Sequence, residues 1–430
     1  MIPGTPQTLW CLESFLHAGD STMKPSQLAY VLAAVVMAMI AAVSPVPVAA
    51  CPFCSAPSMT LTEQLAQADA AVLVKWTGGT AAKLSDAGST DFEVVEVVHQ
   101  PASGKLAKGT KLSLIRYRPS KAGDLFLLLG TAGVGNVEWG SPLEVTQAGY
   151  DYMKNSPKPD QPAVKRLAYF LKYLENPDQM IGDDAFGEFA NASYADVVQL
   201  KKEMPRDKLR GWLAGKTVSP GRIGLYGMML GLCGNDDDAK FMERKITEST
   251  EEFRLGIEGV MGGYLLLKGE EGLSLLDERK LRDTKAPFSE TYAAMQALRF
   301  MWQYGDNRIE PDRLRQSMRI LLERPELADL VIADLARMKD WSVQDRLIEL
   351  YEVDAYNIPS IKRAIVRFTL AAAKDTGIKK IEAGTGGGSS VATPVEELPP
   401  HVIRAQKCLE ELEKRDPKTV HEAKRFFLLK

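Results

Sequence analysis

Cysteine and histidine are both scarce in this chain, 5 and 4 among 430 residues. Five cysteines over that length cannot staple a fold together, so a hydrophobic core has to hold it. No His-Glu-x-x-His, no Gly-x-Ser-x-Gly and no phosphate-cradling glycine loop occurs, and no nucleophile stands beside an evident base. The sequence therefore assigns no catalytic, cofactor-binding or metal-ligating residue. Charge of one sign is not in excess either. The formal net charge is -3 and Lys and Arg are spread along the chain, which removes the electrostatic footprint of nucleic-acid binding. What is present is ordinary globular material: 45% hydrophobic and 25% charged residues, enough apolar surface to offset the ordering entropy. At this length two or more domains are expected.

Residues 1–50 read as an export region. Met23 and Lys24 precede an apolar stretch from Leu28 to Val43, which ends in Ser44-Pro45-Val46-Pro47-Val48-Ala49-Ala50. A positive start, an apolar centre and small exit residues are the parts of a secretory signal, with cleavage expected after Ala50. The alternative is an uncleaved anchor, for which the run is short against the roughly 20 residues a bilayer needs. Met1 to Thr22, with Cys11, sit awkwardly ahead of that charged start, so Met23 is the expected initiator. Val48-Ala49-Ala50-Cys51 also resembles the lipobox of bacterial lipoproteins, which implies lipidation of Cys51. The expected location is extracytoplasmic, with membrane contact only if Cys51 is lipidated or the signal stays uncleaved.

Residues 51–153 are expected to form a small β-rich domain. After one short helix from Leu61 to Asp69, the runs Ala71 to Trp76, Phe92 to Val98, Leu112 to Tyr117 and Leu125 to Leu129 carry β-branched, leucine and aromatic residues between Gly/Ser/Lys turns. Leu125 to Leu129 is apolar on both faces and should be central, and Leu112 to Tyr117 alternates as a partly solvated strand does. A five-stranded OB-like β-barrel fits this length. Cys51-Pro52-Phe53-Cys54, then Ala68-Asp69-Ala70-Ala71-Val72, then Phe92 to Val98 and Asp124 to Gly130 give an order of features that resembles the netrin module and the N-terminal domain of the tissue inhibitors of metalloproteinases. That resemblance implies the fold. It does not carry over the inhibitory function, because the family's later disulfide partners are absent before Tyr150.

Cys51 and Cys54 are the candidate disulfide or thiol pair. A thioredoxin-like site would need a βαβ unit around the pair, which is missing. Structural zinc would have to draw on Cys233, Cys408, His99, His401 and His421, which contain no second knuckle. A free N-terminal Cys51 could chelate a partner's metal as the resemblance implies. A local disulfide that pins the N-terminus is the plain alternative.

Residues 154–162 form a Pro/Lys linker, and from 163 to 376 apolar residues recur at helical spacing, as in Val164, Leu167, Ala168 and Leu171, or Ile361, Ile365 and Phe368. Breaks at Met204-Pro205, Gly234-Asn235-Asp236, Gly305-Asp306-Asn307 and Arg324-Pro325 separate paired helices. Units of roughly 40 residues resemble HEAT repeats and predict an α-α solenoid, with an irregular bundle as the alternative. Within the array, Cys233 reads as a core residue, Asp236-Asp237-Asp238 as a helix start and not a calcium loop, and Gly256, Gly259 and Gly263 as a close helix contact. Asn191-Ala192-Ser193 matches a glycosylation acceptor. Tyr292, Trp302, Tyr304, Trp341 and Tyr351 read as core, or as a binding surface if exposed. A Gly/Ser-rich linker, 377–398, leads to C-terminal helices at 399–430, where Val402, Ala405, Leu409 and Leu412 share a face flanked by Cys408. The fold class expected is multidomain β plus α, and the function expected is an exported scaffold that binds protein. The alternative is a thiol- or metal-dependent activity at Cys51 and Cys54.

Overall fold

The computed structural model describes residues 51–54, 58–83, 86–102, 104–248, 252–377 and 398–427, without the side chains of 426 and 427. The signal segment, Cys11 and the Gly384 to Ser390 run lie outside the described residues. Ala49–Lys430 forms one compact unit.

The chain enters through α1 (Leu61–Gln67), which Thr60 and Glu63 start with a reciprocal capping box. Six strands follow: β1 (Ala70–Thr80), β2 (Ser89–His99), β3 (Lys111–Leu114), β4 (Leu125–Ala132), β5 (Val137–Trp139) and β6 (Leu143–Glu144). They make an antiparallel sheet in the order β3-β2-β1-β4-β5, with β6 also on β4. Period-two alternation gives it two buried faces. Leu73 and Leu127 enter the large core shared with the helices. Val72, Val74, Phe92, Val94, Phe126 and Leu128 form a second core, closed by Trp76, Leu106, Leu112 and Trp139. β4 is central and apolar on both faces, as its composition requires.

The sheet is open, which corrects the expectation of a closed barrel. Only Lys111 to Leu114 pair with β2. Beyond them the Thr90 hydroxyl donates to the Arg116 carbonyl (2.6 Å) and accepts from the Arg118 N–H (2.8 Å). A side chain thus takes the place of the ladder, and the expected strand to Tyr117 stops short. Polar side chains link the two edges, Arg116 to Ser141 at 2.7 Å and Arg118 to Glu144 at 3.5 Å.

The helices that follow are α2 (Gln147–Asn155), α3 (Ala163–Phe170), α4 (Gln179–Asn191), α5 (Tyr194–Gln199), α6 (Arg206–Ala214), α7 (Ile223–Cys233), α8 (Asp236–Thr247) and α9 (Ile257–Leu276). After them come α10 (Phe288–Tyr304), α11 (Pro311–Ile320), α12 (Ala328–Arg337), α13 (Gln344–Tyr351), α14 (Pro359–Lys374), α15 (Pro400–Arg415) and α16 (Pro417–Phe427). α2 straddles the expected boundary at 153 and buries Tyr150, Tyr152 and Met153 in the large core. That core continues from Cys51 to Ala423. From α6 onward each helix packs on its chain neighbours: α7 on α6, α8 and α9, α10 on α9 and α11, and α14 on α12, α15 and α16. Charged links tie the helical region together at various separations, among them Arg206 to Asp238 at 32 residues and Arg222 to Glu175 at 47, with four at 35 or 36. Arg254 to Glu290 spans 36 residues, Arg299 to Asp334 spans 35, Arg313 to Asp277 spans 36 and Lys339 to Asp375 spans 36.

The Asp236 to Asp238 run starts α8 as expected. Asn235 and Asp238 close a capping box, and the buried Asp238 carboxylate also takes Arg206 at 2.5 Å and Arg210 at 3.3 Å. On α15, Val402, Ala405 and Leu412 are buried as expected, but so is Cys408, which lies on the face and not beside it. The helix docks on α14.

α7 and α9 are the closest pair, and glycine makes them so. α7 is buried from Gly224 to Gly231 and apolar all round, as a central helix must be. A Cβ on Gly259 would lie 2.1 Å from the Gly224 carbonyl oxygen, and one on Gly263 would lie 2.1 Å from that of Gly227. Both are backbone contacts that cannot swing aside. Gly259→Ala and Gly263→Ala are each expected to lower unfolding free energy by about 1–3 kcal/mol or more. Gly211→Ala in α6, whose added Cβ meets nothing, is expected to be neutral or to gain up to about 1 kcal/mol. Denaturant unfolding measures all three, and equal losses would refute the contact.

Candidate functional site

Cys51 and Cys54 are joined as a disulfide with a Cα–Cα separation of 5.4 Å. The loop between them is a hook. Cys51 N–H donates to the Ala190 carbonyl at the end of α4 (3.1 Å), and the Cys51 carbonyl accepts from Cys54 N–H (3.4 Å). Phe53 is carried inward, its ring 4.7 Å from that of Phe300 on α10. Gly262 on α9 and Gly224 on α7 leave the room: a Cβ on the first would lie 2.7 Å from the Phe53 ring, and one on the second 2.7 Å from its carbonyl oxygen.

The hook's outer side borders a groove of about 650 Å³ walled by Cys54, Phe253, Leu255, Phe288 and Tyr292. Three of these apolar side chains are largely in solvent, Phe253 at 72%, Leu255 at 47% and Phe288 at 50% exposure. Phe288 stacks on Tyr292 with centroids 6.0 Å apart. Beneath them a charged lattice fixes the backbone. Arg254 binds Glu290 at 2.5 Å and also the Lys245 carbonyl at the end of α8, and Lys280 binds Glu290 at 2.8 Å. Burial raises the Glu290 pKa, but the bonds from Arg254 and Lys280 outweigh it and hold the carboxyl below its ordinary value. Glu258, at the start of α9, is raised by burial, partly offset by backbone N–H donors.

The groove is walled mainly by apolar side chains. The hook's sulfurs are spent on each other. Cys233, outside the groove, is pushed by burial up to about 11, and Cys408 is also raised by burial, so both thiols stay protonated. A Cys51 chelate would need its nitrogen, carbonyl and sulfur, and all three are engaged inward. Among the described residues no group of three or more His, Cys, Asp or Glu side chains could hold a metal ion.

Of the aromatic residues singled out in the sequence, only Tyr292 reaches the groove. Trp302 lies under the Arg315 guanidinium at 5.3 Å, Tyr304 packs on Tyr194 at 4.8 Å and Trp341 on Phe368 at 5.2 Å. Tyr351 is buried and donates to Asp416 at 3.0 Å. Phe253 and Leu255 went unread because they sit in the short non-helical approach to α9, where no periodicity marks them.

A second polar cluster fastens α1 to α4. Asp184 accepts from Leu61 N–H at 2.6 Å and from the Tyr152 hydroxyl at 2.7 Å, while Glu188 accepts from Thr62 and Arg166. Burial raises Asp184 to about 6, against the pull of the Leu61 and Tyr152 bonds. No family model matches the chain, and no curated protein or solved structure does either.

Two outcomes are expected. Phe53→Ala should cost about 3–5 kcal/mol, the usual loss for a buried phenylalanine. Reduction of so short a disulfide loop should cost only about 2 kcal/mol, so denaturant unfolding should rank the substitution above the reductant. The second concerns pH. Asp184 is raised in the folded chain, so its contribution is fully present below its ordinary pKa near 3.8 and is lost as pH rises through about 6. Wild type should therefore lose about 2–3 kcal/mol relative to Asp184→Asn between about pH 4 and pH 7. A flat difference across that range would show that Asp184 is not raised.

Proposed function

We propose that the chain is an exported scaffold that binds a protein partner, with the helical array as its binding body and the groove beside the Cys51–Cys54 hook as its contact surface. The observation that carries this is the exposure of Phe253, Leu255 and Phe288 on one groove. Isolated exposed apolar residues need no explanation, but several sharing one concave wall match the aromatic anchors of protein interfaces. Four of the charged links join residues 35 or 36 apart, which supports helix pairs stacked as a HEAT-like solenoid, each unit burying its stripe on the next. The open sheet serves as a second module.

Export is supported by the signal pattern before Cys51 and by a disulfide that suits an oxidising compartment. Lipidation at Cys51 and the hook exclude one another, because one sulfur cannot serve both. The inward engagement of Cys51 likewise favours binding over thiol or metal chemistry.

A photoreactive amino acid at position 253 or 288 is expected to give a discrete cross-linked adduct in cells that make the protein, and the same residue at the exposed Lys201 is not. Intact mass of the purified chain is expected to start at Cys51. Identical adducts from all three positions, or none from the groove, would overturn the surface. A mass starting at Met1 or Met23 would overturn cleavage after Ala50 and leave the groove untouched.

A further inference from the structure

The groove beside the hook has a charge pattern as well as apolar walls. Three charged side chains line it, Arg254, Glu258 and Glu290. Two of them are engaged with each other. Arg254 donates from Nε and Nη2 to the Glu290 carboxylate, and from Nη1 and Nη2 to the carbonyls of Lys245 and Ile246. Glu290 is 4% exposed and accepts from Lys280 as well. That cluster holds a cation in excess, which the two carbonyls in the last turn of α8 meet with the negative end of the helix dipole.

Glu258 is placed otherwise. It sits half-buried in the first turn of α9. Burial raises its pKa, and the groups that pull it back are backbone N–H donors, its own and that of Gly256, with no cation among them. Its ionised form is therefore short of solvation that a cation would restore. The walls favour the same sign of ligand. Ring faces such as those of Phe253, Phe288 and Tyr292 attract cations, whereas an anion would be repelled by Glu258. Ser289 and Gln296, also in the lining, are neutral.

We infer that the groove takes a segment of the protein partner in which a lysine or arginine stands between apolar side chains, the cation pairing with Glu258 and its neighbours covering Phe253, Leu255 and Phe288. This rests on the groove being the contact surface. Calorimetric titration of the full chain with three blocked tripeptides tests it, each with phenylalanine and leucine flanking a central lysine, glutamine or glutamate. The lysine peptide is expected to bind about tenfold more tightly than the glutamine peptide, and the glutamate peptide more weakly than both. Glu258→Gln is expected to bring the lysine peptide down to the affinity of the glutamine peptide and to leave the latter unchanged, a sign that the groove has kept its shape. Phe288→Ala is expected to weaken all three about fivefold. Equal affinities for the three peptides in wild type, or a lysine preference that survives in Glu258→Gln, would overturn the charge assignment and leave the contact surface standing. No saturable heat from any peptide, or undiminished binding to Phe288→Ala, would overturn the inference as a whole, while the cross-links at positions 253 and 288 judge the surface by themselves.

Discussion

The backbone contact between α7 and α9 sets the geometry of everything around it. Gly224, Gly227 and Gly231 face Gly256, Gly259 and Gly263 so closely that even a methyl group has no place. Two helices pressed together in this way form a core rod that must be covered, which is why α7 is apolar around its whole circumference and α9 is buried without a break from Gly259 to Leu266. α6, α8 and α10 pack against this rod. The Cys51–Cys54 hook covers another part, and it can do so only because Gly224 and Gly262 leave a recess shaped for Phe53. A contact made of absent side chains thereby fixes where the N-terminal segment enters, and with it the position of the groove.

Outward from that rod, order is kept by ion pairs more than by shape. Glu290, Asp334, Asp277 and Asp340 are each buried to within a few per cent, and each holds an arginine or lysine from another helix or turn. Buried pairs of this kind add little net stability against an apolar replacement, yet breaking one leaves an unpaired charge in a poor solvent. Their effect is to penalise a wrong register. Leucine stripes would tolerate a slip of one turn between neighbouring helices, whereas an arginine that must meet a carboxylate some 36 residues away does not. Groove walls drawn from separate segments, Phe253 and Leu255 before α9 and Phe288 and Tyr292 on α10, need that register to face one another.

The sequence made these elements legible to different depths, for physical reasons. Strands β1, β2 and β4 and the helical stripes were readable because period two and period 3.6 are local properties. The glycines of α9 were readable as a close contact, although their partners on α7 were not, since pairing is a long-range fact. Closure of the sheet was misjudged: where β3 would have continued, the Thr90 hydroxyl bonds the backbone at Arg116 and Arg118 instead. Nothing in the apolar run from Leu112 to Tyr117 shows that capture. β5 and β6 are too short, three and two residues, to display a period. At the candidate site the hook residues Cys51 and Cys54 were visible as a motif, but the inward-pointing Phe53 and the solvent-facing Phe253 look alike as letters. Only the recess left by Gly224 and Gly262 tells them apart.

The hook also ties the groove's edge to redox conditions. The disulfide closes too small a loop to restrict the unfolded chain much, so its larger effect is local: it holds the carbonyl and N–H of Cys51 against Cys54 and Ala190 while Phe53 fills the recess. With the sulfurs reduced, the same residues would have to keep that turn by hydrogen bonds and one buried ring, and Pro52 and Cys54 would be less constrained at the groove's edge. Phe53 would still draw the turn inward, its burial offsetting part of the entropy of ordering the turn. An oxidising compartment thus sharpens the groove without being needed to fold the array, and the hook is better understood as positioning a surface than as performing redox chemistry.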